Sequence, residues 1–155
     1  MTSVEPSNNA KPTKPGLPPQ VERKVEELKR ALVNKLGDAL DCVLVHGSAV
    51  RGNFDPARSD VDLVVIVKDD VREKLELVAP ALRLARFSAR IEVMLLKSSE
   101  VAGAADVFPL FYDDLAHGAV ALHGTNPFAA MKISDEHRRL RIEQELRELR
   151  IRLRR

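Results

Sequence analysis

Two aspartates on one face of a predicted strand are the residues of this sequence best suited to chemistry. Asp60 and Asp62 lie in the run Ser59-Asp60-Val61-Asp62-Leu63, and a spacing of two places both carboxylates on the same side of a β-strand. Neighbouring carboxylates repel each other, and a divalent cation that prefers oxygen ligands, such as Mg²⁺, relieves that repulsion. We therefore predict that this pair binds metal.

A third acid, Glu92, interrupts the apolar run of residues 90–96. An acid within such a run needs either a partner or a function. If this strand is the neighbour of the strand that carries Asp60 and Asp62, Glu92 can face the same site. Two alternatives stay open: Glu92 as a surface acid at a strand edge, and the aspartate pair as part of a non-catalytic copy of the fold.

The dipeptide Gly47-Ser48 follows a short apolar run, residues 42–46, that is typical of a buried strand. Glycine lets the backbone turn and lets a ligand approach closely. Ser48 would begin a short helix, whose free N–H groups suit phosphate. Arg51 and Arg58 are near enough in sequence to neutralise phosphate, and each fits a solvated surface arginine equally well. A phosphate-binding turn beside three carboxylates predicts metal-assisted phosphoryl or nucleotidyl transfer.

The elements that must position these residues follow from hydrophobic periodicity and from turn residues. Apolar residues recur at helical spacing from Val21, and Gly37 is placed to end that helix. Together the elements predict an α/β fold with a small mixed β-sheet flanked by helices. The further predictions are strands at 42–46, 61–68, 90–97 and 119–123, a loop at 52–59, a helix at 69–88 kinked or split by Pro80, and a helix at 99–117 interrupted near Pro109.

Three segments differ in composition. Residues 1–20 carry five of the nine prolines and predict a disordered tail. Residues 21–133 form the predicted domain, and residues 134–155 form a basic helix. Its apolar positions repeat at spacings of four, three and four, as in a coiled-coil stripe. The stripe packs either on its own domain or on a partner helix or second subunit; it consists of Ile142, Leu146, Leu149 and Leu153.

Several other residues are interpreted as structural. His46 reads as a satisfied buried histidine, and Cys42 as a small hydrophobic residue in a strand. Asp113 and Asp114 are expected at a solvated helix end. The aromatic residues expected on a core-facing helix surface are Phe108, Phe111 and Tyr112.

Length and composition exclude several classes of protein. The 155 residues are 45% hydrophobic and 31% charged, which suits one globular domain. The net charge of +2 is too balanced to indicate a nucleic-acid-binding protein by itself. The single cysteine cannot form an internal disulfide, and no apolar run predicts a signal peptide or a membrane span. We therefore expect a cytoplasmic protein.

The motif Gly47-Ser48, followed after eleven residues by Asp60-x-Asp62 and later by a strand acid, resembles the nucleotidyltransferase superfamily that includes DNA polymerase beta. The run of residues 47–52 and the Ser-Asp-x-Asp-Leu sequence most resemble its minimal nucleotidyltransferase (MNT) branch. The resemblance covers residues 21–125 and implies the nucleotidyltransferase fold. One position departs from the usual pattern, because the third acid of the family is often aspartate and here is Glu92.

This resemblance implies a role for each matching residue. Gly47 and Ser48, helped by Arg51, would bind the triphosphate of a nucleotide. Asp60 and Asp62 would hold two Mg²⁺ ions, and Glu92 would hold one of them and help to activate the attacking hydroxyl group. The implied reaction transfers a nucleoside monophosphate, AMP from ATP, to a hydroxyl group on a protein or on RNA.

The resemblance also implies an alternative role as the antitoxin of a two-gene system. The partner would then be a helical HEPN-type toxin ribonuclease, neutralised by binding, with or without catalysis. Self-association through residues 134–155 is the other partner interaction that we predict. The sequence leaves open the acceptor, the nucleotide and the oligomeric state.

Overall fold

The computed structural model describes residues 15–68, 72–104, 108–131 and 134–153. In these ranges the chain forms four strands and six α-helices, with two short 3₁₀ turns. The elements, in chain order, are α1 (Pro19–Leu36), β1 (Leu40–His46), α2 (Ser48–Arg51), β2 (Val61–Val67), α3 (Arg72–Ala89), β3 (Ile91–Lys97), α4 (Ser98–Ala104), α5 (Pro109–Gly118), β4 (Val120–Gly124) and α6 (Asp135–Arg152).

The four strands form one mixed sheet in the order β3-β2-β1-β4. Strand β1 runs antiparallel to β2 and β4, whereas β2 and β3 are parallel and are joined by the crossover helix α3. The two central strands are covered on both faces, so both read as nearly continuous apolar runs. The predicted α/β fold with a small mixed sheet is confirmed.

Helices cover both faces of this sheet. One face packs against α1 and α3, and alternate residues of β1 and β2, such as Val43 and Val65, point into that core. The opposite face packs against α4 and α5 through a smaller core that includes Leu44 and Leu115. The helical periodicity of α1 is confirmed, since its buried residues are Val25, Leu28, Leu32 and Leu36.

The start of the fold differs from the predicted tail. Residues 1–14 lie outside the described ranges. The backbone N–H of Gly16 donates to the carbonyl of Ala49 at 2.8 Å, and Leu17 packs on the core. Helix α1 begins at Pro19, two residues before the expected start, because proline suits the first helical turn, where its missing N–H needs no partner.

Helix α3 is a second departure from the sequence-based expectation. It runs as one helix from Arg72 to Ala89 with Pro80 inside it. Of the predicted kink or split, the split therefore does not occur. Buried residues on both sides of the proline, Val78 and Ala85, pack into the same core. This packing holds the two halves of α3 in one helix despite the lost backbone hydrogen bond.

Three smaller predictions have mixed outcomes. Cys42 is buried as expected, and burial raises the pKa of its thiol to about 11. Tyr112 is buried in the second core, but Phe108 is 53% exposed, so its expected core position is wrong. No helix in the described ranges combines the length and the apolar composition that a membrane span needs.

Candidate active site

The site begins at the turn that ends β1. Gly47 has φ +71° and ψ −144°, a backbone conformation that is open essentially only to glycine. Its carbonyl accepts hydrogen bonds from the N–H groups of Val50 and Arg51, which start the short helix α2 at Ser48. A Cβ atom at Gly47 would lie 2.7 Å from Oδ2 of Asp62. The backbone of the turn therefore lies directly against the carboxylate of Asp62.

Asp62 lies between residues of two neighbouring strands. It is paired in register with His46 of β1 on one side and with Glu92 of β3 on the other. Burial raises the pKa of the Asp62 carboxyl, His46 opposes that shift, and the negative charges of Glu92 and Asp60 add to it. The three predicted acids therefore lie near one another, as expected if β2 and β3 are neighbours.

Asp60 is held by an arginine that sequence reasoning missed. Arg90 directly precedes β3, and its Nε donates to Oδ1 of Asp60 at 2.8 Å. The two terminal nitrogens donate to the carbonyls of Ala57 and Arg58 at 3.0 and 2.9 Å. Arg90 also has φ +53°, an uncommon value for a residue other than glycine. One side chain thus fixes both Asp60 and the loop before it.

Removing this side chain should loosen the loop. We expect Arg90→Ala to lower the free energy of unfolding by about 1–2 kcal/mol, because three hydrogen bonds of a charged group are lost. Trypsin should also cleave more rapidly after Arg58, which is within the loop. Urea unfolding and timed proteolysis with mass spectrometry measure the two effects. Arg86→Ala, which leaves the loop contacts intact, is the control, and an unchanged cleavage rate in Arg90→Ala would contradict this role.

Glu92 is half-exposed, and it forms an ion pair with Arg86 of α3. Both residues border an open groove of about 410 Å³ between α3 and β3. Arg83 lines the same groove, and its apolar wall is formed by Leu82, Ile91 and Val93. A ligand in this groove would lie next to the Glu92 carboxylate.

On the side of the site formed by the end of β1, the structure corrects the prediction for Asp114. This residue was expected at a solvated helix end, but its carboxylate lies 3.4 Å from Nη1 of Arg51 and 3.8 Å from Nδ1 of His46. Asp113 likewise has a partner, since Arg138 of α6 donates to it at 2.9 Å. Helix α5 packs under the turn at the end of β1, and this packing brings Asp114 to Arg51.

His46 is a partly buried residue with partners, close to the buried histidine that the sequence predicted. Its side chain is 13% exposed and its ring meets that of Phe111 edge-on, with centroids 5.5 Å apart. Burial lowers the pKa of His46, and the carboxylates of Asp62 and Asp114 oppose that shift. Arg58, by contrast, is 88% exposed at the side chain and makes one long contact with Asp55. Its side chain is placed as a surface arginine.

The acids fit a magnesium site in chemical type, and two of them, Asp62 and Glu92, are in register on neighbouring strands. All three supply carboxylate oxygens, the ligands that Mg²⁺ prefers. Burial is the main cause of the raised pKa of Asp62, and the negative charges of Glu92 and Asp60, which a cation would offset, add to it. As placed, no three His, Cys, Asp or Glu side chains in the described ranges are grouped to hold an ion. Asp60 and Glu92 each face an arginine instead.

Sequence reasoning missed Arg86, Arg90 and Asp114. The sequence offers only weak signals for Arg90 and Asp114, because each meets its partner through the packing of elements distant in the chain. Arg86 is only six residues from its partner Glu92. Arg90 could have been noticed as the charged residue directly before the strand of Glu92. The contacts of Asp114 depend on where α5 packs, which no local pattern predicts.

Comparisons with known proteins identify the family of the chain. The profile of the nucleotidyltransferase domain family matches residues 25–151. A Methanocaldococcus jannaschii protein, named as a candidate protein adenylyltransferase, is 32% identical over 73 residues, which are 46% of this chain and 70% of that protein.

Solved structures provide a second comparison. The crystal structure of a spectinomycin adenyltransferase from Enterococcus faecialis, with ATP and spectinomycin, has a TM-score of 0.62 at 14% identity. This match covers 83% of our chain and 66% of that one, so the chain spans just under two thirds of its length. A complex of tri-AMPylated Shewanella oneidensis HEPN toxin with MNT antitoxin gives a TM-score of 0.43 at 16% identity, covering 86% of this chain and 94% of that one.

The family profile spans most of the chain, including the Gly47 turn and all three acids. The fold agrees with that of the adenyltransferase. This protein is a nucleotidyltransferase and belongs to the nucleotidyltransferase domain family.

Proposed function

We propose that this protein transfers AMP from ATP to a hydroxyl group on a protein, with Mg²⁺ held by Asp60, Asp62 and Glu92. The observation that carries the proposal is the register of Asp62 with Glu92 on neighbouring strands, with the Asp62 carboxylate against the Gly47 turn. The choice of a protein acceptor is supported by the relative named as a candidate protein adenylyltransferase, which is 32% identical over its matched region.

The turn and its neighbours would bind the nucleotide. Gly47 has no side chain and so lets the turn approach Asp62 closely. The hydroxyl of Ser48 can donate one hydrogen bond to a phosphate oxygen. Arg51 adds a positive charge over the same turn, where its Nη2 lies 3.8 Å from the position of a Cβ on Gly47. Asp114 holds Arg51 in that place by its 3.4 Å ion pair. These residues would orient the triphosphate with its α-phosphorus towards the acids.

The acids would hold metal and receive the proton. When bound, Mg²⁺ would neutralise the phosphate oxygens and stabilise the charge that develops during displacement. Arg90 occupies Oδ1 of Asp60, which leaves Oδ2 available to an ion. Glu92 would accept the proton of the attacking hydroxyl group. The new bond joins that oxygen to the α-phosphorus, and the bond to pyrophosphate breaks with its electron pair leaving on pyrophosphate.

The test is to incubate the purified protein with each α-labelled nucleoside triphosphate, Mg²⁺ and a whole-cell lysate. We expect ATP to give a labelled macromolecule that protease removes and ribonuclease does not. The Asp62→Asn variant serves as the control for transfer by other enzymes in the lysate. Label that ribonuclease removes would identify RNA as the acceptor. No labelling with any nucleotide would contradict the transferase proposal.

The alternative role of an antitoxin that neutralises a HEPN-type toxin by binding stays a prediction. The same variant separates it from the transferase role. An antitoxin that acts by binding alone would protect cells from its toxin partner equally well as wild type and as Asp62→Asn. An antitoxin that acts by nucleotidyl transfer would protect cells as wild type and would fail to protect them as Asp62→Asn.

A further inference from the structure

The apolar stripe of α6 is left uncovered by the rest of the described chain. Ile142 is 43% exposed, Leu146 is 60%, Leu149 is 51% and Leu153 is 85% exposed. Solvent-exposed apolar residues aligned on one helix face are typical of an interaction surface. The sequence left two alternatives for the stripe, packing on its own domain or packing on a partner. In the described residues the stripe does not pack on its own domain.

Helix α6 contacts the domain near its start and then continues without tertiary support. Arg138 bonds to Asp113 of α5 at 2.9 Å. From Leu146 to Leu153 every residue is exposed. A helical segment as short as this exposed part is marginal in water unless something packs against it. A partner on the stripe would supply that packing.

The charges beside the stripe change sign along the helix. If Leu146 and Leu153 are the a positions and Ile142 and Leu149 the d positions of a heptad repeat, the flanking e and g positions can be assigned. In the first half of the stripe they are Glu143 and Glu145, and in the second half they are Arg150 and Arg152.

We propose that a second copy of this chain covers the stripe, with the two α6 helices antiparallel. In an antiparallel pair, e positions face e positions and g positions face g positions. Glu143 then faces Arg150 of the partner subunit, and Glu145 faces Arg152 of the partner subunit. The two-fold axis repeats both pairs, so each of the four flanking charges in each copy meets an opposite charge.

The opposite orientation is less favourable. Residues 146–155 hold five arginines and one glutamate, whereas residues 135–145 hold three arginines and four acids. A parallel pair would bring two strongly positive ends together, and an antiparallel pair places each positive end beside a weakly negative one.

The flanking charges are available for such a pair. Glu143 and Glu145 form exposed pairs within α6, with Arg139 and Arg141, and pairs of this kind contribute little to stability. Two heptads form a short contact, so we expect a dimer that dissociates on dilution.

Sedimentation equilibrium of the full chain, over a concentration range of about a thousandfold, tests this proposal. We expect wild type to dimerise reversibly, and Glu143→Arg/Glu145→Arg and Arg150→Glu/Arg152→Glu each to raise the dissociation constant about tenfold or more. Mixing the two variants should restore dimers, since all flanking pairs are again opposite in charge. Circular dichroism confirms that each variant folds.

Cross-linking tests the orientation. Mixed Ile142→Cys and Leu153→Cys chains should form the disulfide between unlike chains, since these positions are opposed only in an antiparallel pair. The native Cys42 is 1% exposed and does not compete. Disulfides between like chains would overturn the orientation. A wild-type protein that stays monomeric throughout, even if a different protein binds its helix, would overturn the dimer. The inference does not rest on the proposed function, since it applies equally to a chain without transfer activity.

Discussion

Replacing Asp62 with asparagine should reduce nucleotidyl transfer by at least about a thousandfold while making the folded protein more stable at neutral pH. The loss of transfer follows from the position of this carboxylate, which lies against the Gly47 turn and beside Glu92. Asparagine keeps the shape of the side chain and removes its charge. The binding of metal and the stabilisation of developing charge both depend on that charge.

The gain in stability follows from the pKa of the same group. Burial raises the pKa of Asp62 above its ordinary value of 3.8, and the charges of Glu92 and Asp60 raise it further. The folded protein therefore binds this proton more tightly than the unfolded chain does, and the ionised form costs stability. The cost is fully present above the folded-state pKa and disappears as the pH falls below 3.8.

The measurement combines the transfer assay with thermal unfolding at several pH values. Asp62→Asn should raise the melting temperature at pH 7, and the difference from wild type should shrink as the pH is lowered towards 3.8. Asp38→Asn, an exposed acid at the opposite end of the sheet, is the control and should change neither transfer nor stability appreciably. A variant that retains wild-type transfer would contradict the site. A lower melting temperature at pH 7 would contradict the electrostatic argument.

Local patterns in the sequence predicted much of this site. The spacing of Asp60 and Asp62 predicted a shared strand face, but β2 begins at Val61, so only Asp62 is within the strand. The glycine before Ser48 predicted the turn at the end of β1. The closeness of Glu92 was conditional on β2 and β3 being neighbours, which the register between Asp62 and Glu92 now shows. Strand order is a property of the whole fold, because it depends on how α3 crosses over the sheet. The candidate acids could therefore be proposed from the sequence, but the register that places Glu92 beside Asp62 could not be predicted from it.

The residues that support the acids were much harder to predict. Arg90 reaches Asp60 because the start of β3 lies beside the end of the loop before β2. Asp114 reaches Arg51 because α5 packs on the sheet face that includes Leu44. Neither contact leaves a periodic or short-range trace in the sequence. The same reasoning applies to Pro80, where packing on both sides outweighed the local tendency to break the helix.

A methyl group added at Gly47 should damage transfer far more than it damages folding. The backbone of Gly47 is strained for any other residue, so Gly47→Ala should cost about 1–3 kcal/mol of stability. The new Cβ would also lie 2.7 Å from Oδ2 of Asp62, closer than real Cβ contacts. Asp62 must then move, and a displacement near 1 Å at a reacting centre lowers the rate by about a hundredfold.

Gly37 provides a matched control for this strain. Its φ of +54° and ψ of −128° lie in the same backbone region as Gly47, but a Cβ there would meet nothing within 4 Å. We therefore expect Gly37→Ala and Gly47→Ala to lose similar stability in urea unfolding, and only Gly47→Ala to lose transfer when both are assayed well below their unfolding temperatures. Equal transfer by the two variants would show that the close approach of the turn to Asp62 has no role in the reaction. A loss of transfer in Gly47→Ala alone would show that the reaction needs the close approach of this turn to Asp62, and that backbone strain by itself does not abolish transfer.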